Sequence, residues 1–318
     1  MDIGQKMTVP GLTTDVQDRR ETYQGALKKE IRNKWKRTVT GWLLIAPSLV
    51  FLVIFTIYPI IKSFIGSLYI DNLSTITPVF AGLSNYKTVF QDKVFWECFI
   101  NNLLIAVVTI PVSIALAVAM ALFANSLKRG KGISRLGFTY PTFIPLVAAA
   151  NIWMFIYTPI YGLLGYINPE WRFLADSKTA IWALMVMLVW KQAGYIMLFY
   201  VAGLHGISRE LFEAARIDGA GAARTFFSIT WPMLKPTTIY VLIIALTNAY
   251  KMVDHLYIMT KGGPGNATNV LLFYIYQTGF DYWDTGKASA MTVILVALLL
   301  IVTSVSFFRQ DKKAYYND

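Results

Sequence analysis

Long apolar runs separated by short polar segments are the dominant pattern of this chain. The 21 positions from Gly41 to Ile61 carry no charged residue, and neither do the 30 positions from Cys98 to Leu127. A helix of about 20 apolar residues is long enough to cross the hydrocarbon core of a bilayer. The pattern therefore predicts an all-α integral membrane protein whose transmembrane domain covers residues 41–308. Its six transmembrane helices are expected at about residues 41–65, 98–125, 137–160, 179–204, 237–260 and 288–308.

The composition excludes an ordinary water-soluble domain. Of the 318 residues, 56% are hydrophobic and 15% are charged, whereas about 25% of the residues in soluble domains are charged. Cys98 is the only cysteine, so an intrachain disulfide is excluded, and His205 and His255 lack the spacing of metal ligands. We therefore expect no metal and no cofactor on this chain.

The net charge of +11 fits the orientation of a membrane protein better than binding to nucleic acid. No basic motif with interleaved aromatic residues points to a nucleic acid partner. Of the 29 Lys and Arg residues, 20 lie in residues 1–40, 125–136, 205–236 and 309–318, whereas the three remaining loops hold only six. Because Lys and Arg accumulate on the cytoplasmic side of membranes, both termini and the 205–236 loop are predicted to be cytoplasmic.

The first 40 residues form a basic arm rather than a secretory signal peptide, because the first apolar run begins only at Gly41. That run is expected to stay in the protein as an anchor. Within the arm, residues 22–37 fit either a basic helix lying on membrane lipid or a solvated tail.

The 205–236 loop, called the elbow below, is polar and rich in small residues, and its pattern predicts two short helices joined by a glycine turn. Ser208 is placed to cap the first helix, and Gly219 lies where that helix should end. The stretch from Ala222 to Ile229 can resume a helix, and Pro232 is expected to end it because proline lacks an N–H.

The spacing within the elbow resembles the EAA loop of binding-protein-dependent ABC importer permeases. This resemblance implies a type I ABC importer permease fold in a bacterial plasma membrane and a cytoplasmic loop that couples to a separate ATPase. One departure is Trp231, where the family commonly has leucine. The residues that match the motif, and to which the coupling role is carried over, are Glu213, Ala214, Ala215, Gly219, Ile229 and Pro232.

The same resemblance implies several partner proteins. They are a second homologous permease, two ATP-binding ABC subunits and an extracytoplasmic solute-binding protein. The chain has no GxxxxGK motif followed by Ser or Thr, so it is not expected to hydrolyse ATP itself. ATP and Mg²⁺ are therefore expected on the partner ATPase subunits, and this chain is expected to be a transport subunit rather than an enzyme.

A second stretch resembles the carbohydrate-uptake members of the family. Residues 250–260, followed by Gly262-Gly263-Pro264, are similar to their FKVFDLIYVMTxGGP segment, and Gly82 to Tyr86 is similar to their GLxNY segment. The likeness is greatest to the maltose-type first permease and to the glycerol-3-phosphate permease. It implies a carbohydrate cargo that passes between two homologous permeases.

Three charged residues inside predicted spans are candidates for contact with cargo, since an unpaired charge there is unfavourable by several kcal/mol. Lys251 and Asp254 are three positions apart, so they are predicted to share a helix face and to be able to pair. Two lysines would suit an anionic sugar, unless Asp254 neutralises Lys251. Aromatic rings and hydrogen-bonding groups suit a sugar, and the candidates are Lys191, Gln192, Tyr195, Asn248, Tyr250, Lys251, Asp254, Trp153 and Tyr157.

Two other classes of function stay open at this point. A self-contained secondary transporter or channel would use Lys191, Lys251 and Asp254 as a proton or ion relay, and it would need no docking elbow. An integral-membrane enzyme would need a compact set of His, Asp, Glu or Cys residues, and the sequence offers none on a membrane face.

Overall fold

The computed structural model describes residues 34–127, 129–251 and 253–311, with the side chains of residue 302 and of residues 305–311 left undescribed. Residues 1–33 of the predicted basic arm and residues 312–318 of the predicted tail lie outside the described chain. Internal contacts divide the protein into two units after Lys62. Helix α1 (Lys34–Gly66) has a π turn at Val53–Ile57, and its residues 34–62 are the described part of the first unit.

The second unit is mostly helical, and its only described sheet is a two-stranded antiparallel ladder, which the all-α prediction did not include. In this ladder β1 (Tyr69–Ile70) pairs with β2 (Val79–Phe80). The helices, in chain order, are α2 (Ser84–Gln91), α3 (Lys93–Ser126), α4 (Lys131–Phe143), α5 (Leu146–Tyr157), α6 (Leu163–Ile167), α7 (Ala180–His205), α8 (Arg209–Ile217), α9 (Ala222–Met233), α10 (Lys235–Lys251), α11 (Asp254–Met259), α12 (Leu271–Tyr276) and α13 (Thr285–Asp311).

Three described helices, α1, α3 and α7, are long and apolar enough to cross a membrane. The number rises to five if α4 with α5, and α9 with the helical region that follows it, are each counted as one bent span. The described apolar part of α13, Thr285–Ile301, is shorter than a full span. The prediction of six transmembrane helices therefore remains a prediction.

The range predicted as one helix at 137–160 is two helices, α4 and α5, which meet at an angle of 94°. The break has a local cause, because Pro145 disfavours the helical conformation at the residue before it. Ile144 is accordingly extended, with φ −70° and ψ 127°. Pro141, by contrast, is accommodated inside α4.

The long helices α3 and α7 pack side by side at the centre of the second unit. One buried cluster joins them to α10, and a second joins them to α5 and α11. A third cluster connects the start of α3 with α12 and α13. Gly194 of α7 lies against α4 so closely that a Cβ atom at this position would be 2.1 Å from the Phe138 carbonyl oxygen.

The Gly82 to Tyr86 motif holds the β1 segment in place. The Asn85 side-chain amide donates hydrogen bonds to the carbonyl oxygens of Ser67 and Tyr69, at 2.9 and 2.7 Å. The Tyr86 hydroxyl and the Ser67 hydroxyl are 2.7 Å apart and share a hydrogen bond. These contacts assign the motif a structural role.

An ion pair links the start of α3 to the start of α13. Asp92 accepts hydrogen bonds from the Lys287 ammonium at 2.7 Å and from the Tyr274 hydroxyl at 2.5 Å. Burial alone would raise the pKa of Asp92, but the hydrogen bonds from Lys287 and Tyr274 outweigh it and hold the pKa below its ordinary value. Burial and the hydrogen bond to Asp92 raise the pKa of Tyr274.

Because the folded-state pKa of Asp92 is depressed, its ionised form stabilises the fold above the ordinary carboxyl pKa and ceases to do so as the pH falls through the folded value. We expect Lys287→Met to lower the free energy of unfolding at neutral pH by about 1–3 kcal/mol. This deficit should shrink as the pH falls below roughly 4, where Asp92 of the unfolded chain begins to take up a proton, and vanish as the pH falls through the lower folded-state pKa. The check is the melting temperature of detergent-solubilised protein as a function of pH.

The matched control is Lys93→Met, which removes a lysine whose side chain is 90% exposed and lies 3.9 Å from Glu97. Exposed pairs of this kind contribute little, so its melting temperature should stay near that of the unmodified protein. Equal melting temperatures for both variants at neutral pH would contradict the stabilising role of the Asp92–Lys287 pair.

Candidate functional site

The elbow begins with the predicted capped helix. The Ser208 hydroxyl accepts a hydrogen bond from the Glu210 backbone N–H at 3.2 Å, and Glu210 lies in the first turn of α8, where the helix dipole favours an anion. After Asp218 the chain reverses at Gly219, whose φ of +71° lies in the left-handed region. The Gly219 N–H donates to the Arg216 carbonyl at 3.2 Å. The predicted cap and glycine turn are therefore confirmed.

The second elbow helix, α9, differs from the prediction at its end. Pro232 was expected to terminate the helix, but α9 continues to Met233. The reason is a π turn at Phe226–Thr230, closed by the Trp231 N–H donating to the Phe226 carbonyl five residues back. A widened turn directly before proline gives room for the ring, which would otherwise clash with the preceding turn.

Two apolar side chains project from the elbow on either side of the glycine turn. Ile217 is 87% exposed and Phe227 is 69% exposed. Phe226 and Trp231, in contrast, pack inward against the cluster that joins α3, α7 and α10. Trp231, the departure from the family pattern, thus has a packing role. Of the six predicted coupling residues, Glu213, Ala214 and Gly219 are exposed, Ile229 and Pro232 are half-buried, and Ala215 is buried.

Lys191 finds its partners on the backbone at the α4–α5 break. Its ammonium donates hydrogen bonds to the carbonyl oxygens of Pro141, at 2.9 Å, and Thr142, at 3.2 Å, and also to that of Ile144. Carbonyls at the end of a helix have no intrahelical partner, so Lys191 stabilises the bend. Its predicted contact with cargo stays a prediction.

Lys251 and Asp254 do not form the ion pair for which the sequence pattern allowed. Helix α10 ends at Lys251 and α11 begins at Asp254, so the two residues do not occupy successive positions of one regular helix. Within the described chain neither side chain has an ion-pair or hydrogen-bonding partner. Both are exposed, and both line one cavity of about 600 Å³.

This cavity has an aromatic wall that the sequence analysis missed. The wall consists of Tyr257, Phe273, Tyr276 and Phe280. Phe273, Tyr276 and Phe280 follow one another at spacings of three and four, which places them on one face of a helix and was the available signal. The remaining lining residues are Val147, Val253, Ile258, Leu272 and Ile275.

The other predicted cargo residues lie outside this cavity. Gln192, Tyr195 and Asn248 line a small cavity of about 10 Å³ between α7 and α10, which is close to the least that one water molecule needs. Tyr250 is buried in the cluster between α3 and α13. The structure therefore brings together only two of the nine predicted cargo candidates, Lys251 and Asp254, in the large cavity.

Trp153 and Tyr157 belong to an aromatic cluster. The Trp153 ring lies 5.6 Å from the Trp190 ring and 5.4 Å from that of Tyr157, measured between centroids. The Tyr157 hydroxyl donates to the Ala183 carbonyl at 3.0 Å and is buried. These contacts indicate packing between α5 and α7. No group of three His, Cys, Asp or Glu residues that could hold a metal occurs in the described ranges.

Comparison with known proteins identifies the family. The protein-family model described as binding-protein-dependent transport system inner membrane component matches residues 111–313 of this chain. The sn-glycerol-3-phosphate transport system permease protein UgpA of Agrobacterium fabrum is 32% identical over 87% of this chain and 97% of its own length. The trehalose/maltose transport system permease protein MalF of Thermococcus litoralis is 33% identical over 87% of this chain and 97% of its own length.

A further relative is the sulfoquinovosyl glycerol transport system permease protein SmoG of Agrobacterium fabrum, 34% identical over 83% of this chain and 87% of its own. Among solved structures, a bacterial ABC transporter involved in the import of the acidic polysaccharide alginate has a chain that superposes with a TM-score of 0.76. The superposition covers 88% of this chain and 99% of that chain, at 22% sequence identity. With the TM-score, this coverage shows that the two chains share a fold. The resemblance inferred from the elbow spacing is confirmed: the chain has the type I importer permease fold and belongs to the family of inner membrane components of binding-protein-dependent ABC transport systems.

Proposed function

We propose that this chain is the transmembrane permease subunit of an ATP-driven importer for a carbohydrate in a bacterial plasma membrane. In this proposal the chain crosses the membrane six times, with both termini and the elbow in the cytoplasm. The relatives named above support a carbohydrate or sugar derivative as cargo, since their names refer to glycerol phosphate, sulfoquinovosyl glycerol and trehalose or maltose. The distribution of Lys and Arg supports the orientation.

The observation that carries the proposal is the geometry of the elbow. Its exposed Ile217 and Phe227 lie on either side of the Gly219 turn, so the elbow presents an apolar projection that can enter a groove in another protein. In the proposal, that groove belongs to a separate ATPase subunit. Glu213 and Ala214 are exposed on α8 and complete the docking surface.

The elbow is connected to the membrane helices on both sides. Helix α8 begins four residues after the last residue of α7, and α10 begins two residues after the end of α9. Phe212, Phe226 and Trp231 also pack against the cluster joining α3, α7 and α10. Because this packing is continuous, a movement of the docked elbow would shift these helices together and switch the cargo path between inward and outward access.

The proposed assembly contains a second homologous permease, two ATP-binding subunits and an extracytoplasmic solute-binding protein. ATP and Mg²⁺ would bind to the ATPase subunits, and this chain would move rather than catalyse. The nine residues predicted to contact cargo remain candidates, with Lys251 and Asp254 supported by their shared cavity.

Crosslinking tests the docking of the elbow. Cys98 is the only cysteine and is buried, so Cys98→Ala gives a background without cysteine. In that background Phe227→Cys should react, through a short bifunctional thiol–amine reagent, with the co-expressed ATPase subunit. Tyr166→Cys is the matched control, because Tyr166 is 87% exposed and lies in a predicted extracytoplasmic loop. Absence of a product with Phe227→Cys, or an equal yield with Tyr166→Cys, would refute the docking.

A further inference from the structure

Two charged side chains that line the large cavity lack partners within the described chain. Lys251 and Asp254 both line it, and in the described part of the chain neither forms an ion pair or a hydrogen bond. Unpaired charges at membrane depth are unfavourable against lipid, but not against water or a polar ligand. The cavity is therefore suited to a hydrated or polar occupant rather than to acyl chains.

The same cavity offers flat aromatic surface. The Tyr276 and Phe280 rings are 5.2 Å apart at an interplanar angle of 29°, and they are 42% and 70% exposed. Phe273, which also lines the cavity, is buried and its ring is nearly parallel to that of Tyr276, with the centroids 6.3 Å apart. Aromatic faces of this kind cover apolar C–H surface well, and the tyrosine hydroxyl adds a polar group at the edge.

We propose that this cavity is a cargo subsite for an uncharged sugar unit, whose ring lies on Tyr276 and Phe280 while its hydroxyls bind Lys251 and Asp254. The inference rests on the proposed carbohydrate permease and specifies the cargo that one of its sites takes. A volume of about 600 Å³ lies within the range of small-molecule sites, roughly 300–1,000 Å³.

The chemistry of the two charges selects a neutral cargo. A hydroxyl both donates and accepts hydrogen bonds, so neighbouring hydroxyls satisfy Asp254 as donors and Lys251 as acceptors. A carboxylate, sulfonate or phosphate would bind Lys251 but would be repelled by Asp254 in the same cavity. Lys191 supplies no additional cation to this cavity, because it is not among the residues that line it and its ammonium donates to three backbone carbonyls at the α4–α5 break.

Uptake by cells that express the complete transporter tests the subsite. The neutral probes are radiolabelled maltose, trehalose and raffinose, and the anionic probes are glycerol 3-phosphate and digalacturonate. We expect a neutral probe to be accumulated and the anionic probes to be excluded. Uptake of any anionic probe, or of no neutral probe, would overturn the assignment.

Substitutions of residues that line the cavity provide a second test, in which uptake of the accumulated neutral probe is measured. Lys251→Gln and Asp254→Asn should each lower uptake about tenfold, since each removes a charge-assisted hydrogen bond. Tyr276→Ala should also lower uptake, whereas Tyr276→Phe retains the ring and should restore most of it. Tyr140→Ala, which removes a 66% exposed ring on α4 outside the cavity, is the control. Increased uptake with Asp254→Asn would show that Asp254 repels the cargo and would overturn a neutral cargo.

Failure of the subsite can be distinguished from failure of the proposed function. Gly219→Pro in the elbow should abolish uptake of every probe if the chain is an ATP-coupled permease. If the cavity variants transport normally while Gly219→Pro does not, the subsite is wrong and the permease role stands. If Gly219→Pro also transports normally, the coupling role and the inference built on it both fail.

Discussion

Replacing Gly219 by proline is expected to reduce cargo-stimulated ATP hydrolysis by the assembled transporter to the unstimulated level. The native φ at this residue is +71°, whereas the proline ring fixes φ near −65°. Proline would also remove the N–H that donates to the Arg216 carbonyl at 3.2 Å. The turn between α8 and α9 therefore cannot keep its path, and Ile217 and Phe227 lose their common docking geometry.

Gly221→Ala is the matched control for this prediction. Gly221 has φ −68°, and a Cβ atom there would meet nothing within 4 Å. Alanine should therefore leave the elbow and the stimulated hydrolysis unchanged. Glu213→Lys adds a second variant, because it reverses an exposed charge without disturbing the backbone, and it too should lower the stimulation. Normal stimulation in the Gly219→Pro and Glu213→Lys transporters would remove the coupling role from the elbow.

Gly194→Ala is expected to destabilise the whole helix assembly. The added Cβ would lie 2.1 Å from the Phe138 carbonyl oxygen and 3.1 Å from the Thr139 Cα, and both contacts are with backbone. Relief requires α4 and α7 to separate, and overpacking of this kind typically lowers the free energy of unfolding by about 1–3 kcal/mol. Separation would also pull Lys191, one turn earlier on α7, from its carbonyl partners on α4.

The melting temperature and the folded yield of detergent-solubilised protein, read by fluorescence-detected gel filtration, measure this effect. Gly137→Ala is the control, because Gly137 is also in a helix and a Cβ atom there would meet nothing within 4 Å. We expect a lower melting temperature and yield for Gly194→Ala alone. Indistinguishable behaviour of the two variants would mean that the close approach of α4 and α7 does not limit stability.

The elbow was predictable because local rules determine it. A serine cap and a glycine with positive φ act over a few residues, and their positions can be read from the sequence. The predicted termination at Pro232 failed for a similar local reason, since the π turn before the proline depends on packing of Phe226 and Trp231 against the helices. The apolar runs likewise indicated helices, but not the 94° break at Pro145.

The candidate cargo site was less predictable because it depends on tertiary contacts. Lys191 was placed among possible cargo contacts, yet its hydrogen-bonding partners come from a helix about 50 residues earlier. The pairing of Lys251 with Asp254 assumed one continuous helix, whereas α10 ends at the first of them. The aromatic wall of the cavity combines residues of α11 and α12 with the turn that follows, and only packing brings these elements together.

The central claim is that this chain moves cargo only as part of an ATP-driven assembly. The direct measurement is accumulation of a labelled cargo by proteoliposomes that contain either the purified chain alone or the chain with its second permease, its ATPase subunits and the solute-binding protein. We expect accumulation only in the complete assembly, and only with ATP and Mg²⁺ on the ATPase side. Uptake by the chain alone, driven by a proton or sodium gradient, would contradict the claim and favour a self-contained transporter.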